Sequence, residues 1–242
     1  MDDERVPKLT IGLYVYNGEK YLRERLENIL SQSYTNFELI ISNNASFDST
    51  HEICNDFSQK DGRIKYFQQK HTVNIQENGN FVLNKAQTEF FVWTQVDDIW
   101  ELEFLKETIQ ILEKNPNLVG CNSQVDIVGS ITDYLKDSEN DTFFKKYYKK
   151  IRKKFRKMNT ESLKGDYDKR LRTFLKNPGH NNILFGVFKT KEFQNSTISE
   201  MFVGNDFCIV LNLLKYGEIH VINKICMYQP LRLKSTVLHH KI

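Results

Sequence analysis

The chain has 242 residues, of which 40% are apolar and 27% charged, so it is long enough for one large α/β domain or two small ones. The formal net charge of +3 is too small to argue for any partner by itself. No run approaches the ~18 apolar residues that a membrane span needs, and the acidic N-terminus lacks the apolar core of a signal peptide. We therefore expect a cytoplasmic protein with at most peripheral membrane contact. Four cysteines in apolar surroundings are predicted to be buried, reduced thiols: Cys54, Cys121, Cys208 and Cys226.

The first half of the chain alternates apolar runs of strand length with stretches of helical periodicity. Strands are predicted at 8–16, 37–42, 63–68, 89–96 and 118–128. Helices are predicted at 19–32, from near Asp48, at 77–87 and at 101–114. Such alternation predicts a mostly parallel sheet with helices on both faces.

The second half is less regular and contains a basic segment. Residues 145–157 carry nine Lys or Arg and no acidic residue, with apolar residues at helical spacing around them. The segment is either a helix packed on the domain with a solvated lysine face, or a helix lying on an anionic membrane where a lipid-linked acceptor resides. Nucleic-acid binding is the weakest interpretation, because no stacking aromatic motif accompanies the charges. A strand at 183–188, a helix at 205–216 and a strand at 219–229 are predicted to complete the fold.

Two adjacent carboxylates, Asp97 and Asp98, directly follow the strand predicted at 89–96. Ligands bind beyond the carboxyl ends of parallel strands, so we expect this pair to lie at one edge of the sheet with the polar segment 43–48. Unpaired charges are costly to bury, and hard oxygen ligands suit Mg²⁺ or Mn²⁺ beside substrate phosphates. The alternative is that Asp97 caps a helix starting near Trp100.

Four segments of the sequence resemble the family-2 glycosyltransferases. Residues 9–42 look like the family's first strand, first helix and second strand, and 41–50 resemble its acidic loop. Asn74, followed by Asn80-Phe81, matches the loop and helix before the metal-binding strand. Residues 91–100 (FVWTQVDDIW) match the metal-binding segment itself. The resemblance covers most of 7–128 and, more loosely, 180–235.

The resemblance implies a single GT-A domain and an inverting sugar transfer from a nucleotide-sugar donor. Residues 1–128 would form the nucleotide-sugar-binding half, and 129–242 the acceptor-binding half with a helical basic insertion. Asp206, in a Gly-Asn-Asp-Phe motif, takes the position of the carboxylate base, and Asn205 stands where an acid is common. Asp97 and Asp98 would hold the metal. The alternative for Asp206 is a helix N-cap.

The nucleotide would lie between the first-strand loop and the acidic loop, with a basic C-terminal segment closing over the diphosphate. The residues assigned to nucleotide contact are Val15, Tyr16, Asn43, Asn44, Asn74, Arg232 and Lys234. The acceptor is expected to be a glycan or a lipid-linked saccharide in surface polysaccharide assembly. Asp48 is interpreted as a helix cap, Trp93 and Trp100 as core residues, and His180 as either a loop residue or an acceptor contact.

Several positions depart from the family pattern. Asn43 and Asn44 stand where aspartates are usual, Gln95 replaces the first acid of Asp-x-Asp, and Tyr14 replaces a common proline. Asn43, Asn44 and Gln95 favour a second hypothesis, a catalytically inactive nucleotide-sugar-binding or scaffold relative on the same fold. The retained Asp97, Asp98 and Asp206 favour an active enzyme. A nucleotidyltransferase is a weaker third hypothesis, because the first loop offers no clear Gly-rich phosphate site with a basic residue.

Overall fold

The computed structural model describes residues 6–128, 160–176 and 181–230. Its strands are β1 (Leu9–Val15), β2 (Phe37–Asn43), β3 (Ile64–Gln68), β4 (Phe90–Thr94), β5 (Ile99–Trp100), β6 (Leu118–Val128), β7 (Val187–Lys189) and β8 (Glu218–Pro230). They form an eight-stranded sheet in the order β3-β2-β1-β4-β7-β6-β8-β5. The first four strands of this order run parallel, while β7 is antiparallel to both of its neighbours.

Helices connect the strands. They are α1 (Glu19–Leu30), α2 (Thr50–Lys60), α3 (Ile75–Lys85), α4 (Phe104–Lys114), α5 (Tyr167–Lys176), α6 (Thr190–Gln194) and α7 (Asn205–Leu213), and a 3₁₀ turn spans Asn181–Phe185. None of the helices in these described stretches is both long and apolar enough to cross a bilayer. The predicted α/β fold, a mostly parallel sheet flanked by helices, is confirmed.

The two faces of the sheet are separated by the alternation of side chains along each strand. In β4, Phe90 and Val92 join the core formed with α1, α2 and α4. Phe91 and Trp93 join the opposite core, formed with α3, α5, α6 and α7. Gly12 in β1 makes room for that second core, because a Cβ there would lie 2.5 Å from the Phe91 ring. Both faces are therefore buried, as a parallel sheet requires.

Some predicted elements differ from those observed. The strand predicted at 183–188 is mostly the 3₁₀ turn, followed by the three-residue β7, because Ile183 and Leu184 pack into the second core rather than into a ladder. The helix predicted at 101–114 begins only at Phe104, since Ile99–Trp100 first pairs with β8. The stretch that leads to residue 182, for which the sequence predicts no regular element, contains α5. The helical period of 19–32 places Tyr21 on the apolar face of α1, but this residue is 42% exposed.

Cys54, Cys121 and Cys226 are buried free thiols, as predicted, and Cys208 is a partly exposed free thiol. Burial raises the pKa of the Cys54 and Cys121 thiols to about 12, so both stay protonated at neutral pH. The basic segment 145–157 and His180 lie outside the described residues.

Candidate active site

The carboxyl ends of β1, β2 and β4 meet at one edge of the sheet. In the ladders Val15 pairs with Asn43, and Leu13 pairs with Thr94. The loops that follow these strands therefore start side by side, which is the arrangement predicted for segments 43–48 and 97–98.

Hydrogen bonds between loops fix the part of this edge beyond β1 and β2. The backbone N–H of Asn17 donates to Ser46 Oγ (2.9 Å), and the N–H of Phe47 donates to Asn17 Oδ1 (3.1 Å). The Tyr16 and Phe47 rings meet edge to face, with centroids 6.1 Å apart. Both side chains are exposed, Tyr16 by 48% and Phe47 by 83%. Two aromatic rings are thus exposed to solvent on two loops that hydrogen bonds hold together.

Asp48 holds the starts of two helices together. Its Oδ1 accepts from Thr50 N (3.0 Å), and its Oδ2 accepts from Glu19 N (3.1 Å), at the first turns of α2 and α1. Burial alone would raise the pKa of this carboxyl, but the hydrogen bonds from Thr50 and Glu19 lower it below its ordinary value. The N-cap position itself is Ser49, so Asp48, which is predicted to be the cap, acts from one residue before it.

The two asparagines that replace the usual aspartates are buried and engaged within the protein. Asn43 Nδ2 donates to the Tyr66 hydroxyl (3.0 Å), and Asn43 Oδ1 accepts from Ser46 N (3.0 Å). Asn44 makes two bonds to one backbone unit: Nδ2 donates to Val73 O, and Oδ1 accepts from Val73 N, both at 2.8 Å. An aspartate cannot supply the donor of this pair.

We expect Asn44→Asp to lower the free energy of unfolding by about 1–3 kcal/mol, because a buried carboxylate would face the Val73 carbonyl. Urea denaturation measures this change. Asn115→Asp, at an exposed amide with a single bond to Ile111 O, is the matched control and should change stability little. Equal stability of Asn44→Asp and the wild type would contradict the role given to the Asn44 amide.

Two further predicted nucleotide contacts, Val15 and Asn74, also interact with other residues of the protein. The Val15 side chain is 2% exposed and belongs to the first core. Asn74 is the N-cap of α3, where its Oδ1 accepts from Glu77 N at 2.9 Å. Among the predicted nucleotide contacts within the described residues, Tyr16 is exposed, Asn74 is partly exposed and the others are buried. Arg232 and Lys234 lie outside the described residues.

Asp98 is turned into the protein rather than toward solvent. Its side chain is buried, Oδ2 accepts from Gln95 N (3.0 Å), and Oδ1 accepts from Gln229 Nε2 (3.1 Å). Burial raises the pKa of this carboxyl, and the nearby Arg25 opposes that rise. Asp98 thus accepts two hydrogen bonds within the protein near a buried cation, and its role as a metal ligand together with Asp97 stays a prediction.

Arg25, on α1, is the residue at this edge that sequence reasoning missed. Its guanidinium is fully buried, donates to Asn28 Oδ1 (2.6 Å) and to Thr94 Oγ1, and lies 4.0 Å from the centroid of the Trp100 ring. Burial lowers its pKa to about 10, and Asp98 and Asp97 act in the opposite direction. The helical spacing of the sequence indicates that Arg25 is buried, because it lies on the same face of α1 as the buried Leu22 and Ile29.

Asp97 is half-buried and follows the end of β4 by three residues. The alternative that it caps a helix near Trp100 is wrong, because α4 starts at Phe104. In the described part of the chain no group of three or more His, Cys, Asp or Glu could hold a metal ion. Mg²⁺ commonly takes one or two carboxylates and completes its shell with substrate phosphates and water, so a single Asp97 fits a metal that arrives with a diphosphate.

A cleft of about 260 Å³ opens between the end of β4 and the start of α7. Its lining includes Tyr14 and Trp93 from the sheet, Gln95 directly after β4, and Asn205 and Asp206 from α7. Asp206 therefore shares one cleft with the strand end that leads to Asp97. The helix N-cap is Gly204, so the alternative that Asp206 serves as the N-cap is wrong.

The floor of the cleft is aromatic and held by hydrogen bonds. Trp93 Nε1 donates to Gly79 O (2.9 Å), and the Trp93 ring meets the Tyr14 ring edge to face, with centroids 6.3 Å apart. Gln95 Nε2 donates to the Tyr14 hydroxyl (3.3 Å). Two departures from the family pattern, Tyr14 and Gln95, are thus each other's partners. Trp93 and Trp100 are buried core residues, as expected, although Trp93 also lines the cleft.

Comparison with known proteins decides the family. The family model described as Glycosyl transferase family 2 matches residues 10–176, which is more than half of the chain. The chain belongs to glycosyl transferase family 2. It is 32% identical to Glycosyltransferase GlyG of Streptococcus pneumoniae over 113 residues, covering 46% of this chain and 37% of GlyG.

Solved structures of low identity share the fold. S. aureus TarS 1–349 in complex with UDP-GlcNAc is similar with a TM-score of 0.68 and 17% identity, covering 97% of this chain and 62% of that one. The mannosyltransferase PcManGT from Pyrobaculum calidifontis, in complex with GDP-Man and Mn²⁺, has a TM-score of 0.61 and 14% identity over 96% of this chain and 59% of its own. The predicted GT-A fold is confirmed. The family-2 chain spans less than two thirds of the length of these relatives.

Proposed function

We propose that the protein transfers a sugar, with inversion, from a nucleotide-diphosphate-sugar to an acceptor hydroxyl in the cleft between β4 and α7. The observation that carries this proposal is that Asp206 lines the same cleft as Gln95, two residues before Asp97. Family membership supports sugar transfer, and TarS and PcManGT bind nucleotide-sugars in their complexes.

Asp206 is assigned as the general base. Its carboxylate accepts the proton of the acceptor hydroxyl, whose oxygen forms a bond to the anomeric carbon of the donor. The bond between that carbon and the phosphate oxygen breaks, and the nucleoside diphosphate leaves with the electron pair. Attack from the side opposite the diphosphate inverts the anomeric configuration.

The donor is assigned to the first half of the chain, 1–128, and the acceptor to the second half, 129–242. Tyr16 would contact the nucleotide base, close to the loops held by Asn43, Asn44 and Asn74. Asp97 would hold Mn²⁺ or Mg²⁺, which neutralises charge on the diphosphate. Two further roles stay predictions. Arg232 and Lys234 would contribute to diphosphate binding, and 145–157 would contact an anionic membrane that carries a lipid-linked acceptor.

A donor screen tests this function. Release of nucleoside diphosphate is measured for common UDP- and GDP-sugars with Mn²⁺ and with Mg²⁺, with and without saccharide acceptors. We expect turnover of one donor class with a divalent metal. Tight binding of a nucleotide-sugar without any turnover would instead support the inactive, scaffold-type relative that Asn44 and Gln95 suggest.

Asp97→Ala should remove the metal-dependent part of nucleotide binding. We expect calorimetric titration with UDP and GDP to give the same affinity in Mn²⁺ as in EDTA for this variant, and a higher affinity in Mn²⁺ for the wild type. Asp56→Ala, at a carboxylate on α2 paired with Lys60, is the control and should keep the metal effect. A metal effect that survives in Asp97→Ala would rule out Asp97 as the ligand.

A further inference from the structure

Three half-exposed apolar side chains line the cleft that contains Asp206. Met201 and Phe202 belong to the loop before α7, and Ile75 is the first residue of α3. Their exposed fractions lie between 46% and 52%. Single exposed apolar residues are common on protein surfaces, but several gathered at one site mark a binding surface. We call Ile75, Met201 and Phe202 the apolar rim of the cleft.

The direction of Ile75 follows from the geometry of α3. Gly79 lies one turn further along the helix, and a Cβ on it would be 3.7 Å from the Tyr14 ring and 3.8 Å from the Trp93 ring. Residues four positions apart project from the same face of a helix. Ile75 therefore projects from the face of α3 that covers the aromatic floor, where its exposed half can contact a molecule bound in the cleft.

Hydrogen bonds hold the loop before α7 in place. Asn80 Nδ2, on α3, donates to Ile198 O at 3.2 Å. Asn205 donates twice to the loop, from Nδ2 to Glu200 O (2.5 Å) and from its backbone N–H to Phe202 O (3.2 Å). The two apolar side chains on this loop are thus kept at the cleft, although exposure of apolar surface to water is unfavourable. A ligand with apolar surface would remove that cost.

The charges in the cleft disfavour an anionic ligand. Among the described residues that line it, Asp206 is the only acidic residue and none is Lys, Arg or His. A phosphate in the cleft would therefore meet a carboxylate and no nearby cation of the lining, which is electrostatically unfavourable. The rest of the lining consists of apolar and aromatic residues and neutral amides. An uncharged molecule with both hydroxyls and an apolar part fits this lining.

We propose that the apolar rim selects an acceptor saccharide that carries an apolar aglycone, such as an alkyl chain, joined without a phosphate. The aglycone lies on the apolar rim while a sugar hydroxyl faces Asp206. This inference rests on the function proposed above and narrows its acceptor class. Burial of apolar surface on both molecules supplies affinity. Because this contact is the same in the bound substrate and in the transition state, it lowers KM and leaves kcat unchanged.

Acceptors that differ only in the aglycone test this proposal. Transfer from the donor found in the screen is measured to methyl and octyl glycosides of common hexoses and N-acetylhexosamines, and to the corresponding sugar 1-phosphates. The octyl glycosides are kept below their micelle concentration. For the wild type we expect a KM for the octyl glycoside about 10-fold lower than that for the methyl glycoside. The kcat values of the two should be similar, and the sugar 1-phosphates should be the poorest acceptors.

Variants on the two sides of the apolar rim locate the effect. Phe202→Ser and Ile75→Ser should each reduce the preference for octyl over methyl by about 3- to 5-fold, because each removes part of the apolar contact. Leu102→Ser is the matched control, since Leu102 is exposed to a similar extent and lies outside the cleft lining. It should keep the wild-type preference. A ratio of two KM values does not depend on the amount of folded enzyme, so it separates lost contact from lost stability.

Several results would overturn this inference while leaving the proposed function intact. They are equal KM values for methyl and octyl glycosides in an active wild type, donor turnover without transfer to any alkyl glycoside, and a preference that Leu102→Ser reduces as much as Phe202→Ser. Weaker binding of Phe202→Ser to phosphatidylcholine vesicles, with an unchanged octyl preference, would assign the apolar rim to a membrane instead. A wild type that releases no nucleoside diphosphate from any donor overturns the proposed function itself, and this inference with it.

Discussion

Asp206→Asn is expected to lower kcat for sugar transfer by about 10²–10⁴-fold, the range that a general base typically contributes. Asparagine has nearly the same shape as aspartate and cannot accept the acceptor proton. Binding of nucleoside diphosphate should persist, because Asp206 lies on α7 rather than in the first-half loops assigned to the nucleotide. Transfer kinetics and calorimetric titration, measured on the same preparation, check the two parts of this expectation.

Asp168→Asn is the control for this variant. Asp168 occupies the second position of α5, as Asp206 does in α7, and it is exposed and outside the cleft lining. A carboxylate in the first turn stabilises its helix through the helix dipole, so both variants should lose a similar, small amount of stability. Asp168→Asn should keep full activity. Equal activity of the two variants would show that Asp206 serves only its helix.

Arg25→Leu is expected to lower the free energy of unfolding by about 3–5 kcal/mol, the usual cost of leaving a buried charge without a counter-charge nearby. The leucine would remove the cation that opposes the rise in the pKa of the buried Asp98 carboxyl, and it would leave the Trp100 ring without the guanidinium above it. Arg23→Leu, at a side chain 56% exposed on the same helix, should have little effect. Urea denaturation measures both variants.

The loss in Arg25→Leu should depend on pH. Burial already raises the pKa of Asp98, and removal of Arg25 raises it further. An acid whose pKa is higher in the folded state loses stability as the pH rises through that pKa, so the deficit should be larger at pH 8 than at pH 5. Adding Asp98→Asn should recover part of it. A deficit independent of pH and unchanged in the double variant would contradict an electrostatic interaction between Arg25 and Asp98.

The parallel half of the fold could be predicted from sequence because each strand carries its own signal. β1, β2 and β4 are runs of β-branched and aromatic residues buried on both faces, and helices of regular period separate them. β5 could not be predicted, because two residues have no periodicity and Ile99–Trp100 is a strand only through its pairing with Met227 and Tyr228. Likewise, the 3₁₀ turn at Asn181–Phe185 shares its apolar composition with a strand.

The candidate site could be predicted in part, for a similar reason. The motif around Asp206 indicated a residue at a helix start, and the structure brings it to a cleft with Gln95. The directions of the two carboxylates at Asp97 and Asp98 were not predictable, because the burial of Asp98 depends on Arg25 from α1 and Gln229 from β8.

The central claim is that the sugar is transferred in the cleft that Asp206 lines. A crystal structure of Asp206→Asn with Mn²⁺ and the donor selected by the screen tests it most directly. The account predicts the donor sugar in the cleft with its anomeric carbon facing the α7 start, and the diphosphate with its metal at Asp97. A donor bound with its sugar outside this cleft, or a metal held away from Asp97, would contradict the account.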